Sequence, residues 1–258
     1  MVSAQASLVT VDRGNRYSAA EWEARVQLAA CYRLVAHHRM TDLVYTHISA
    51  RVPGTMDQFL LNPYGLMFDE VTASNLVKID LDGRAVEDAA YGVNAAGFTI
   101  HSAIHAARHD VDCVLHTHTR AGVAVSCQKQ GLLPLNQISL QFYNRLAYHD
   151  YEGIALDHDE RPRLVGSLGD KRAMILRNHG LLTAGRSIPE AFSLMFYLER
   201  ACEIQVAALA GGTELIFPSP ETCEKTAQQY ESGEEPLGEL EWAAHLRVLD
   251  RIDPSYRD

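Results

Sequence analysis

The sequence predicts an α/β domain with a mainly antiparallel central sheet and helices on its faces. Three observations predict it. Short apolar runs separated by turn residues cluster early, at 45–51, 58–61 and 77–79. Two long stretches with helical apolar spacing sit near either end, each opened by a Ser-x-x-Glu box at Ser18 and Ser187. Between them, further strand-like runs carry histidines two residues apart or at the end of the run.

The elements follow in order. Ser18-Ala-Ala-Glu21 caps a helix whose stripe of Trp22, Val26, Ala29 and Ala30, widened by Leu28, Tyr32 and Val35, continues to His37. His37 and His38 at its end are expected to complement the helix dipole if charged, with a ligating role as the lesser alternative. The runs 45–51, 58–61 and 77–79 read as a meander, and Asn62-Pro-Tyr-Gly65 is a turn because Pro presets φ and Gly permits φ > 0. From Asn94 a helix is expected, with Phe98, Ile100, Ala103, Ile104 and Ala107 on one side and His101, His105 and His109 one turn apart. A strand over 111–119 follows, then small residues at 122–127 and an apolar connection at 132–140 broken by Pro134. The segment 143–153 is dense in Tyr, His and acidic residues, as a half-exposed strand or a substrate rim would be. Strands at 172–177 and 181–184 flank the turn Asn178-His179-Gly180, and Ser187-Ile-Pro-Glu190 starts the longest helix, which Gly211-Gly212 stops. Two shorter helices, 221–230 and 240–252, are polar enough to lie outside.

A chain of 258 residues supports one large core, and a single domain is expected. The net charge of −10, with no run of Lys or Arg, argues against nucleic acid and anionic membrane as partners. No apolar run approaches the ~18 residues of a membrane span. Five scattered cysteines with no C-x-x-C pair fit reduced thiols, so a cytoplasmic setting is expected.

Chemistry concentrates in Val114-Leu-His-Thr-His118. Period two puts His116 and His118 on one face, with Cys113, Leu115 and Thr117 on the other. His179 at a second strand end brings a third imidazole within reach, and three neutral imidazoles make a metal site with open positions. The rival is the helical H-x-x-x-H series, which lacks the Glu of H-E-x-x-H and suits packing beneath the site.

Thr46-His-Ile-Ser-Ala-Arg51, Asn62-Pro-Tyr-Gly65, Lys78-Ile-Asp-Leu-Asp-Gly83, His116-Thr-His118 and Asn178-His-Gly180, in that order, resemble the class II aldolase/adducin family. The resemblance covers 20–212 and leaves an arm at 1–19 and a helical extension at 213–258. It implies a three-layer α/β/α fold, a ring of four subunits acting on a small-molecule substrate at sites between neighbours, and a divalent metal on His116, His118 and His179. Zinc is the first expectation, then Mn, Fe or Co. It also implies a substrate site at His47, Arg51, Asn62 and Gly65. The phosphate-holding Ser-Ser pair of the sugar-phosphate members reads Ala95-Ala96 here, their Asn is His47, and the second Thr of their turn is Tyr64, so a phosphosugar is not expected. The acid/base Glu of the aldolases is Gly97, which transfers no proton. Tyr64 and His47 are the first candidates to replace it, with His101 and the 148–152 cluster behind them.

The function expected on these grounds is a metal-dependent lyase, cleaving or decarboxylating a non-phosphorylated hydroxy or keto acid through a metal-bound enolate. The alternatives are a non-haem iron oxygenase of an aromatic keto acid, as in one branch of the fold, and a non-catalytic assembly module like the adducin head, where the metal histidines are not retained.

Overall fold

The computed structural model describes residues 16–87, 91–92, 95–154, 158–233 and 236–258. The arm expected at 1–19 and the Asn94 cap fall largely or wholly outside them. In chain order come α1 (Ala19–His37), β1 (His47–Arg51), β2 (Gln58–Leu61), β3 (Val77–Asp80), α2 (Ala95–Ala107), β4 (Cys113–Thr117), α3 (Arg120–Ser126), α4 (Gln137–Leu140), β5 (Leu146–His149), α5 (Arg161–Leu168), β6 (Ala173–Leu176), β7 (Gly180–Gly185), α6 (Ile188–Ala210), α7 (Pro220–Glu231) and α8 (Glu239–Ile252). Seven strands form one sheet in the order β3-β2-β1-β4-β7-β6-β5. Every pairing is antiparallel except β5 with β6, which α5 connects as a crossover.

Both serines act as N-caps, as the sequence indicates. The Ser18 hydroxyl accepts from the Glu21 amide at 3.1 Å and Ser187 from Glu190 at 3.2 Å, satisfying amides that a helix start leaves bare. The stripe on α1 and most of the α6 surface are apolar because both helices lie on the same sheet face. There Leu28, Tyr32, Ile48, Leu115, Leu181, Met195 and Leu198 form the larger core. The other face is covered by α2 and α5 over Ile100, Ile104, Val114, Met174 and Leu182. Three layers result.

The C-terminal segment is less peripheral than its polar sequence suggests. Trp242 and Leu249 of α8 are buried, and Tyr256 is fully buried with its carbonyl accepting from the Ala73 amide at 3.0 Å. Two further expectations shift. His109 lies beyond the end of α2, because the helix stops at Ala107 and the chain turns into β4. The connection at 132–140 contains a short helix capped by Asn136, and α5 lies where no helix was expected.

Candidate metal centre

β4 is central, between β1 and β7. Its register sets His116 opposite His47 on one side and opposite Leu182 on the other. Because Thr117 pairs with Leu181, the next pair outward is His118 beside Gly180, and His179 stands at the tip of the β6–β7 hairpin next to both. The three imidazoles converge. Nε2 of His118 is 2.9 Å from Nε2 of His116 and 2.9 Å from Nε2 of His179. Among the described residues, His116, His118 and His179 are the group of side chains arranged to hold a metal ion.

The outer nitrogens fix the tautomers. Nδ1 of His116 lies 2.8 Å from the Leu181 carbonyl, and Nδ1 of His118 lies 2.9 Å from Asp42 Oδ2. Each partner only accepts, so each Nδ1 carries a proton, which in a neutral ring leaves Nε2 to present a lone pair. Two lone pairs facing at 2.9 Å repel unless a cation lies between them, and the donor set fits a divalent ion that takes imidazole nitrogen. Burial, followed by the neighbouring His179 and His118, pushes the His116 pKa well below its ordinary value, and burial with His118 lowers His179 to about 4. Both stay neutral and ready to ligate at neutral pH.

Two close contacts hold this arrangement. A Cβ at Gly180 would sit 2.3 Å from the Thr117 carbonyl and within 3.3 Å of both His116 and His118, so glycine is required there. Beyond His118, Glu199 of α6 accepts from the Thr119 hydroxyl and from the Gly122 amide at 3.1 Å, which fixes the start of α3.

Backbone strain gathers at the same place. Among the described residues, the non-glycine residues with positive φ are Arg39, Leu43, Thr46, Asn144 and Asn178. Asn178 immediately precedes His179, and Thr46 immediately precedes His47. Strained residues persist where the surroundings over-determine them, as at sites built for a ligand.

Behind the three imidazoles lies a second group. His47 is buried, its ring 4.2 Å from that of His101 and 5.5 Å from that of His116, and neither of its nitrogens meets a hydrogen-bond partner among the described residues. Burial lowers its pKa to about 3, helped by His118 and His179. Ser49 Oγ bridges His101 Nδ1 and His105 Nε2 at 2.7 Å each. His101 thus packs against His47 behind the centre, with His105 beyond it against Ser49 and Phe59. In front of the centre, His179 borders a shallow open cleft shared with Tyr151, Arg177, His149 and Glu160. His149 Nε2 meets Glu160 Oε1 at 3.2 Å there.

The expected substrate residues divide. Arg51 is corrected: it lies at the far end of β1 from His47, ~13 Å along the strand. Its guanidinium donates to the carbonyls of Met56 and His105 at 2.6 and 2.9 Å and its Nε faces Asp112 Oδ1 at 3.5 Å, so it staples the loops at that end of the strand, away from the three histidines. The Asn62 side chain is held through its oxygen. The Tyr32 hydroxyl, which accepts from the Ile48 and Asn62 amides at 2.8 and 3.1 Å, faces Asn62 Oδ1 at 2.9 Å. That knot holds the 62–65 turn beside the His47 end of β1. Tyr64 is exposed at the turn, and Gly65 has φ 100°. Gly97 lies in the first turn of α2. Asp42 and Glu199 carry no local signal that distinguishes them from other polar residues in the sequence, and Ser49 stands out there only as part of the Thr46–Arg51 motif. Asp42 meets His118 across 76 positions.

The comparisons now decide the family. The model of the Class II Aldolase and Adducin N-terminal domain matches residues 26–206. The chain belongs to the class II aldolase/adducin family. A solved aldolase II superfamily protein from Pseudomonas syringae is 57% identical with a TM-score of 0.91, covering 94% of this chain and 98% of that one. L-fuculose 1-phosphate aldolase from Glaciozyma antarctica superposes with a TM-score of 0.82 at 29% identity, covering 92% and 93%. Alpha-adducin of Rattus norvegicus is 43% identical over 251 residues, which are 92% of this chain and 34% of adducin. The chain thus spans about a third of adducin while matching the class II aldolase structures almost end to end. The seven-stranded, mostly antiparallel sheet of this family member is the class II aldolase fold. Among its described residues no helix is long and apolar enough to cross a membrane.

Proposed function

We propose that this family member is a divalent-metal-dependent lyase of the aldolase or decarboxylase type, with His116, His118 and His179 as ligands and zinc as the first candidate ion. The observation that carries the reading is the convergence of three Nε2 atoms whose rings are held from behind. A bound cation supplies Lewis-acid polarisation of a substrate carbonyl as the neighbouring carbon–carbon bond breaks.

The protein's own groups narrow the substrate. His47, neutral and unpartnered beside the centre, offers a hydrogen bond without a charge. A neutral imidazole compensates a dianionic phosphate poorly and suits a hydroxyl or carboxylate oxygen. With Ala95-Ala96 where the sugar-phosphate members resembled above have two serines, a non-phosphorylated hydroxy or keto acid is the better substrate class. The sugar phosphate in the name of the Glaciozyma relative is not carried over. Gly97 leaves the usual acid/base position without a titratable group. Decarboxylation needs no base for bond cleavage, and in aldol cleavage Tyr64 at the rim of the turn would handle the proton. The site is proposed to be shared between subunits of a cytoplasmic homotetramer. The 43% identity to alpha-adducin favours one competing reading, a non-catalytic assembly module.

Elemental analysis of untagged protein purified without added metal separates the two readings. About one metal per chain in the wild type and little in His116→Ala supports the enzyme. The loaded protein is then assayed for carbon dioxide release and for aldehyde formation from hydroxy and keto acids. No bound metal, and none taken up on reconstitution, would leave the assembly module in front.

A further inference from the structure

We infer that Asp42 is a positioning residue of this centre, and that segment 39–46 holds left-handed backbone in order to present it. The inference rests on the reading of His116, His118 and His179 as metal ligands. Asp42 Oδ2 stands 2.9 Å from His118 Nδ1. A carboxylate there only accepts, so it keeps the proton on Nδ1 and the lone pair on Nε2, where the other two imidazoles point. The rotated or tautomerised ring would turn an N–H toward the centre and repel a cation.

The segment is built around that contact. It connects α1 to β1 and contains Arg39 at φ 58°, Leu43 at φ 50° and Thr46 at φ 67°, three of the five non-glycine residues with positive φ among those described. Leu43 is 64% exposed, so its conformation is not imposed by core packing around its side chain. The Tyr45 amide donates to the Asp42 carbonyl at 2.9 Å and closes a tight turn that Asp42 opens, with Leu43 and Val44 at its tip. Both ends are anchored: Met40 is buried with its amide on the Val35 carbonyl, and Thr46 is buried at the entry to β1, the strand paired with His116. Anchored ends and strained interior residues together hold the carboxylate in register with His118. Folding stability does not account for this contact, because the Asp42 side chain is 43% exposed and surface contacts of this kind add little to folding.

The test is metal binding, read without turnover. Zinc affinity is measured by competition with a chromophoric chelator for the wild type, Asp42→Ala, Asp42→Asn and the remote carboxylate control Glu214→Ala. Asp42→Ala is expected to lose about 10- to 100-fold in zinc affinity, with the urea unfolding of the metal-free protein unchanged. Asp42→Asn keeps an accepting oxygen and should recover part of the loss, while Glu214→Ala should bind as the wild type does. In cobalt-loaded protein the visible d–d bands report ligand geometry; they should shift in Asp42→Ala and move back in Asp42→Asn. If Asp42→Ala fails to fold, Asp42→Asn decides: weaker zinc binding at native stability supports the role, and wild-type affinity overturns it. Equal affinity and spectrum in wild type and Asp42→Ala, or an equal loss in Glu214→Ala, overturns the positioning role and leaves the ligand assignment standing. A wild type that takes up neither zinc nor cobalt overturns both.

Discussion

Replacing Gly180 by alanine tests the geometry of the centre with a single methyl group. Its Cβ would lie 2.3 Å from the Thr117 carbonyl oxygen, 3.2 Å from His118 Cδ2 and 3.3 Å from His116 Cε1. A carbon and a carbonyl oxygen need ~3.3 Å between them, so β4 and β7 must separate by about 1 Å at the rung that carries the histidines. The first obstacle is backbone, and rotamer changes cannot relieve it. Overpacking of this kind costs about 1–3 kcal/mol, which lowers Tm by about 2–4 °C per kcal/mol in a chain of this size. The same displacement moves His116 and His118 relative to His179 and should weaken zinc by at least the ~10-fold loss that follows disturbance of ligand-orienting groups. Urea unfolding of metal-free protein gives the first quantity, and chelator competition the second. Gly180→Ala protein with stability within about 0.5 kcal/mol of the wild type and unchanged zinc affinity would refute the close approach of His118 and the β6–β7 hairpin.

Two other perturbations are readable by stability alone. His38 packs against Phe196 and His245 at ring distances of 5.0 and 5.4 Å, its buried Nε2 meets no partner among the described residues, and burial with His245 lowers its pKa to about 4. The unfolded chain binds this proton near pH 6.5 and the folded chain only near 4. Its contribution is therefore fully present above pH 6.5 and declines as pH falls toward 4; His38→Phe should flatten that decline in urea unfolding measured at a series of pH values. Arg25 is fully buried, paired with Glu21 at 3.1 Å and with Glu87, and donates to the Leu76 carbonyl at 2.9 Å. Arg25→Ala leaves those carboxylates to Lys78 and should cost about 3–5 kcal/mol; a loss under about 1 kcal/mol in the same assay would contradict the burial of the cluster.

What could be read in the chain was local. Ser18 and Ser187 announce helices because a hydroxyl three residues before a Glu satisfies amides within one turn. His116 and His118 share a face because a strand alternates. The ordered motifs from Thr46 to Gly180 were enough to point to the family, and with it to the three-histidine centre and the layered fold. Other features depend on where distant segments meet, and no local pattern carries that information. Arg51 has the charge and motif of a carboxylate binder, yet its Nη atoms are on the carbonyls of Met56 and of His105, which is 54 positions away in sequence, at the opposite end of β1 from His47. Asn62 looked like a ligand and is tied to Tyr32, 30 positions earlier. Asp42, the partner of His118, is one of many acidic residues in sequence, and only the packing of the α1–β1 connection against the end of β4 singles it out. The sequence by itself determined which residues are able to hold a metal, because that follows from side-chain chemistry and strand period. Tertiary structure decided which groups orient them and which are spent on the scaffold, because a hydrogen-bonding group has a fixed number of donors and acceptors and its nearest neighbours in space take them first.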